Sequence, residues 1–201
     1  RTPLTSIKGF IQNLLDGLTG PLNEKQQRYL VRMSENSDRL VRMIEDLLDR
    51  TRIETGRLEV HPADVELESC LADVIEQLKP LAQVKQQTLE FCCANTEVVV
   101  WADRDRLIQT VVNLVQNAIK FTPPGGNVWV ACELLNHRTA TVLVRDTGPG
   151  IAAEYLDKIF DPFFRIQQGQ RTAPKGLGLG LSIVKTLVEL QGGEVAACNC
   201  P

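Results

Sequence analysis

Leu30, Met33, Ser37, Leu40, Ile44, Leu47 and Thr51 follow one another at alternating steps of three and four residues. Leu4, Ile7, Ile11, Leu14 and Leu18 do the same over a shorter span. A spacing of this kind keeps one mostly apolar face along a helix and reads as a heptad seam. Between the two runs lies DGLTGPLNE, whose two glycines and proline mark a helix–helix turn. The spacing therefore predicts an antiparallel helical hairpin. One hairpin buries two seams poorly, and pairing with a second copy would complete a four-helix bundle. The competing arrangement packs the hairpin on the rest of the same chain. The length of the seam favours the dimer.

The seam fades near RIETGRLEV, where Gly56 is a plausible helix stop. A domain boundary is placed there, giving residues 1–56 and 57–201. Beyond it the period changes. ADVEL alternates, TLEFCC and VVVWAD read as strands, and NVWVACELL and TATVLVRD flank the turn NHRT, which holds His137. ESCLADVIEQLKPLAQVKQ is helical, with Pro80 expected to bend or end it. DRLIQTVVNLVQNAIKF and LGLSIVKTLVELQG are further helices, the second closed by Gly192 and Gly193, and EVAAC starts a strand. The expected class is α+β, a mixed sheet with its helices segregated to one face.

Bulk properties exclude some functions. With 22 Lys and Arg against 25 Asp and Glu, the net charge is −3 and no basic stripe suits nucleic acid. No apolar run approaches the ~20 residues that span a bilayer. The six cysteines are scattered, and His61 and His137 lie far from any cysteine pair. Reduced, mostly buried thiols in a cytosolic protein are expected rather than zinc or a disulfide.

Four short stretches carry chemistry. In NLVQNAIKFT, Asn113, Asn117 and Lys120 share one helix face. Two amides and an ammonium suit a hydrated Mg²⁺ and phosphate oxygens; a solvated polar face fits equally well. In DTGPGI, Asp146 ends a strand where its carboxylate could accept from an adenine amino group. Gly148 and Gly150 would let backbone approach a flat ring, although an ordinary Gly-Pro turn reads the same. In IFDPFFR, Phe160, Phe163 and Phe164 anchor the root of a polar loop, RIQQGQRTAPK, and Arg165 stands where it could reach a phosphate. A core patch followed by a surface loop is the plainer reading. In GLGLGLSIVK, Gly176, Gly178 and Gly180 lead into a helix, where bare N–H groups bind phosphate. A flexible linker is the alternative, and the regular leucine spacing argues against it.

Taken together, in this order, the four stretches resemble the N box, first glycine box, F box and second glycine box of bacterial sensor histidine kinases. The resemblance covers nearly all 201 residues. The hairpin is similar to the dimerisation and histidine-phosphotransfer domain. The rest is similar to an α/β-sandwich ATP-binding domain of the GHKL superfamily. By this resemblance Asn117 is the Mg²⁺ ligand, and Asn113 and Lys120 serve the phosphates and the metal shell. Asp146 binds adenine, with Gly148 and Gly150 beside the purine. Arg165 approaches the γ-phosphate, and Gly176, Gly178 and Gly180 form the phosphate-side loop below a lid. Phe160 and Leu181 join the nucleotide-binding set.

The opening RTPLT resembles the tail of the family's H box, so the phosphoacceptor His is expected three residues before Arg1 and its acidic partner two before. Neither His61 nor His137 matches the acceptor. Thr2 matches a position associated with dephosphorylation of the regulator. Further strands are expected beyond GGEV, which would leave an exposed sheet edge here. The implied cofactors are ATP and Mg²⁺. The implied partners are a second copy and a response-regulator receiver domain, with Asn13, Asp16 and Arg28 near the hairpin base as candidates for regulator choice. A cytoplasmic core is implied, in a parent protein that is cytoplasmic or held at the inner membrane. Two rivals remain. A GHKL ATPase carries a Glu base where this chain has Asn113, which cannot take a proton from water. A non-catalytic dimeric scaffold is the other, against which the four intact boxes argue.

Overall fold

The structure is a computed structural model that describes residues 2–93, 98–136, 139–166 and 177–200; of Thr2, Arg42, Asp46, Glu54 and Asn136 it describes the backbone alone. The chain forms two compact units, residues 1–57 and 58–201.

The first unit is a helical hairpin. Helix α1 spans Thr2–Leu15 and α2 spans Glu24–Glu54. The turn uses Gly17 and Gly20, both at positive φ, a conformation glycine adopts at little cost. Asn23 then starts α2 through a capping box: its side chain accepts from the Gln26 N–H at 2.9 Å, and the Gln26 side chain accepts from the Asn23 N–H at 2.9 Å. Such reciprocal pairing satisfies two of the orphan donors of a helix start. Ile11 is the one buried apolar side chain among the described residues of this unit. Met33, Leu40, Ile44 and Leu47 on the seam are all exposed.

The second unit is built on two sheets. Strands β1 (Ala63–Glu66) and β3 (Val99–Ala102) pair antiparallel. Strands β2 (Thr88–Cys93), β4 (Asn127–Asn136) and β5 (Thr139–Asp146) form a mixed sheet in the order β2-β4-β5. β2 and β4 run parallel and β4 and β5 antiparallel. Helices α3 (Leu67–Val84) and α4 (Arg104–Phe121) share one core with the larger sheet. Strand alternation explains the core. Leu89, Phe91 and Cys93 of β2, Val128, Val130 and Cys132 of β4, and Val142 and Val144 of β5 meet Leu71, Val74, Val111 and Val115. The intervening residues Glu90, Cys92, Glu133, Leu143 and Arg145 are exposed. There Trp129 donates to Glu90 at 3.1 Å and lies under the Arg145 guanidinium. Helix α5 (Gly180–Glu189) buries Ile183 and Leu187 with Leu179, and Leu58 packs against them.

Three sequence expectations are corrected. Of the two effects expected of Pro80, the end is excluded: α3 runs through it to Val84. Burial of Leu78 and Ala82 on either side holds the last turns against the core despite the lost N–H. EVAAC forms no strand: residues 193–200 take no regular structure. The thiols are not all reduced or mostly buried. The β2–β4 register sets Cys93 directly opposite Cys132 on the core face, with Cα atoms 4.7 Å apart, and the two form a disulfide. Of the remaining four, Cys70 is buried and Cys92, Cys198 and Cys200 are exposed. Burial pushes the Cys70 thiol pKa up, more than the Arg104 charge lowers it. His137 and the loop 167–176 lie outside the described residues. Among the described residues, no helix is long and apolar enough to cross a membrane.

Candidate functional site

Helix α4 is the spine of the site, and it is fixed at both ends. At its start the Asp103 carboxylate accepts from the backbone N–H groups of Asp105 and Arg106 at 3.0 and 3.2 Å, and from His61 N–H at 2.8 Å. Burial pushes the Asp103 pKa up, but these three hydrogen bonds and the Arg106 charge outweigh it, and the net direction is down. The Asp103 N–H donates to the Gln191 side chain at 2.7 Å, which ties α4 to the end of α5. At the far end Lys85 Nζ donates to the carbonyls of Ile119, Lys120 and Thr122 at 2.6, 3.1 and 2.8 Å. The Gln87 amide donates to Ile119 and Thr122 at 3.1 and 2.6 Å. The C-terminal carbonyls of a helix carry partial negative charge, so an ammonium and an amide are suited to cap them. Burial lowers the Lys85 pKa.

On this spine Asn113, Asn117 and Lys120 are half-buried. Lys120 Nζ lies 4.7 Å from the centroid of the Phe121 ring. Gly180, the first residue of α5, faces the first of the amides: a Cβ there would lie 3.8 Å from Asn113 Oδ1. Leu181 follows half-buried in the first turn of α5. The N-box face and the start of the last helix thus meet.

Asp146 is exposed at the end of β5. Its Oδ1 accepts from the Gly148 N–H at 2.7 Å, with the Thr122 hydroxyl at 3.5 Å. Gly148 is locked in place: an added Cβ would meet Asp146 Oδ1 at 2.5 Å and the Phe121 carbonyl oxygen at 3.4 Å. This pins the first glycine box to the end of α4. Gly150 takes φ +71°.

The F box backs onto the second glycine box. Phe163 N–H donates to Gly178 O at 2.9 Å, and Phe163 itself has φ +63°. A side chain at Gly178 (φ +74°) would strike Phe164 O at 2.7 Å. Phe160 is buried, and the Phe164 and Tyr155 ring centroids are 5.7 Å apart. Arg165 is exposed just beyond. Gly176 lies outside the described residues, and Thr2 begins α1 in the other unit.

The structure therefore joins Asn113 with Gly180, Asp146 with Gly148, and Gly178 with the F box. Arg165 joins none of these contacts. Sequence reasoning missed Asp103, Lys85 and Gln87, which place α4. Asp103 had a local signal, an Asp just before an amphipathic run. Lys85 and Gln87 act on residues more than 30 positions away and left none.

This arrangement has known counterparts. Residues 102–201 match the family described as histidine kinase-, DNA gyrase B-, and HSP90-like ATPase. Residues 1–56 match the His Kinase A (phospho-acceptor) domain. The chain belongs to the histidine kinase family and comprises the catalytic-core elements of a sensor histidine kinase. It is 35% identical over 198 residues to the circadian input-output histidine kinase CikA of Synechococcus elongatus, a match covering 97% of this chain and 26% of that protein. It is 33% identical to the histidine protein kinase DivJ of Caulobacter vibrioides, covering 97% of this chain and 32% of DivJ. The crystal structure of full-length ShkA in complex with AMPPNP superposes with a TM-score of 0.74 at 28% identity, over 97% of this chain and 42% of ShkA. The chain thus spans about a quarter to a third of the length of these curated relatives.

Proposed function

We propose that the second unit binds MgATP and that the chain works as the kinase core of a two-component sensor. The observation that carries this reading is the contact of the N-box face with the last helix, Asn113 against Gly180, in a unit that matches the ATPase family. AMPPNP, an ATP analogue, is bound by ShkA, which this chain resembles along nearly its whole length. Asp146 would accept from the adenine amino group, because Gly148 N–H occupies only one carboxylate oxygen. Gly180 leaves the first position of α5 bare of a Cβ beside Asn113, as close approach of phosphate to a helix start requires.

Neutral amide oxygens suit a hydrated Mg²⁺ shared with phosphate better than a closed protein cage, and Asn117 with Asn113 supplies that donor chemistry. When bound, the metal would neutralise charge on the phosphate oxygens. Lys120 would add positive charge from the same helix face, and Arg165 would reach the γ-phosphate.

The acceptor is a His of the dimerisation hairpin, expected from the RTPLT match three residues before Arg1. Its neutral imidazole nitrogen attacks the γ-phosphorus, the bond to the bridging oxygen breaks, and ADP leaves. The ring proton passes to the neighbouring carboxylate. The phosphoryl group then moves to an Asp of a response regulator, and Thr2 would assist a separate step in which water hydrolyses that aspartyl phosphate and releases inorganic phosphate. Asn113 offers no proton acceptor for water, which disfavours futile ATP hydrolysis. The exposed seam of α2 pairs with a second copy.

The test is a titration of the chain with ATP, with and without Mg²⁺, beside Asn117→Ala and Asp146→Ala. Saturable binding is expected, lost in Asp146→Ala, with its Mg²⁺ dependence lost in Asn117→Ala. A folded chain that binds no ATP would overturn the reading.

A further inference from the structure

After α5 the chain turns at Gly192 (φ +75°). From residue 194 to residue 200 it makes no backbone–backbone hydrogen bond to the rest of the unit among the described residues. Yet it is anchored. The Asn199 side chain accepts from the Ile151 N–H at 2.9 Å and donates to the Ile151 C=O at 2.6 Å. A primary amide here does what a neighbouring strand would do, satisfying both polar groups of one peptide residue. Ile151 directly follows the first glycine box. Gly150 is shaped for the same contact, because a Cβ there would lie 3.0 Å from Asn199 Oδ1. The missing side chain of Gly150 thus makes room for the Asn199 amide.

We infer that Asn199 is a positioning residue for base recognition: its amide clamps Ile151 and so holds the Asp146–Gly150 loop in the shape that receives adenine. This deepens the nucleotide-binding reading and rests on it. The loop has two tethers. Gly148 is held from inside by Asp146 Oδ1 and sits against the Phe121 carbonyl. Ile151 is held from outside, 48 residues away in sequence, by Asn199. Releasing the second tether leaves the core untouched, because Asn199 is exposed and no residue from Asp146 to Ile151 is buried. It frees the loop to sample conformations in which Asp146 misses the base. Contacts to phosphate, made from α4 and α5, are unaffected.

The experiment compares the full chain with Asn199→Ala and Asn199→Asp, titrating each with ADP and with GDP and recording the thermal midpoint. Losing two exposed hydrogen bonds should weaken ADP about 3- to 10-fold. The thermal midpoint and the weak GDP affinity should stay put, so that the ADP-to-GDP preference falls by the same factor. Asn199→Asp keeps an acceptor for the Ile151 N–H but turns an oxygen toward the Ile151 carbonyl, and should be at least as weak as Asn199→Ala. Equal ADP affinity in wild type and Asn199→Ala overturns the inference. So does a loss shared equally by ADP and GDP alongside a lower thermal midpoint, which marks a merely structural residue. A wild-type chain that binds neither nucleotide fails earlier, at the nucleotide-binding reading itself.

Discussion

The two units solve the burial problem differently. In the second unit Leu71, Val115, Val128, Cys132 and Leu187 reach 0% exposure, and two layers close on one another. In the hairpin, Leu40 and Ile44 are 46% and 37% exposed. They sit on the very face whose spacing is most regular. A heptad pattern left in solvent is a surface awaiting another helix, whereas an alternating strand pattern found its helices within the same unit. The same apolar residue should therefore have opposite consequences in the two units. In one it sets intrinsic stability, and in the other it sets association.

The largest effect should come from the closed core. Leu71→Ala is expected to cost the second unit about 2–5 kcal/mol, through lost transfer energy and an uncollapsed cavity. Leu40→Ala in the hairpin should cost far less in dilute solution. Denaturant titrations of both variants at two protein concentrations test the contrast. A Leu40→Ala loss as large at low as at high concentration would break it.

Association comes next. Ile44→Glu places a charge on the exposed seam. It is expected to raise the dimer dissociation constant by at least about tenfold, the equivalent of roughly 1.4 kcal/mol. ATP affinity of the second unit should be unchanged. Sedimentation velocity reads the first and nucleotide titration the second. An Ile44→Glu chain that stays dimeric would show that the seam is not the interface.

This contrast also explains what could be read in advance. Periodicity announced α2, α4 and the β2, β4 and β5 core face, because burial on one side of an element leaves a repeating mark. The four boxes were legible as short, ordered runs. The corrections all concern interactions between distant residues. Pro80 looked like a break because local chemistry says so; the burial of Leu78 and Ala82 that overrides it is tertiary. Cys93 and Cys132 are 39 residues apart, and only the parallel register brings them opposite. The extended C-terminal stretch, expected as a strand, is anchored instead by one side-chain amide on Ile151.

Asp103 sharpens the comparison at the level of caps. The hairpin's α2 is capped locally, by Asn23 and Gln26 in solvent. Helix α4 is capped by a buried carboxylate that also holds His61, 42 residues away. Asp103→Ala should cost about 1–2 kcal/mol. Its folded-state pKa is held below the ordinary 3.8. The stabilisation is therefore fully present above about pH 4 and is lost as pH falls through the lowered value. The gap between wild type and Asp103→Ala in urea melts should narrow below pH 4. A gap that stays constant down to pH 2 would mean that the carboxylate charge contributes nothing.

The smallest effect belongs to the exposed ion pairs that link α1 to α2 and α3 to α4. Lys8 and Asp38 join α1 to α2 at 2.6 Å, and Arg104 and Asp73 join α4 to α3 at 3.2 Å. All four side chains are more than a third exposed, so each pair is worth at most about 1 kcal/mol and is weakened by salt. Double-mutant cycles should give similar, small coupling energies for both pairs, and raising the salt to 1 M should erase both. Their weight differs all the same. Between α3 and α4 the ion pair lies beside a core built on Leu71, Val74, Val111 and Val115. Between α1 and α2 it lies beside little more than Ile11. Salt should therefore loosen the monomeric hairpin measurably, in the amide exchange of α1, and leave the protection of α4 unchanged. Equal loosening of both helices would mean that the closed core does not set the rigidity of α4.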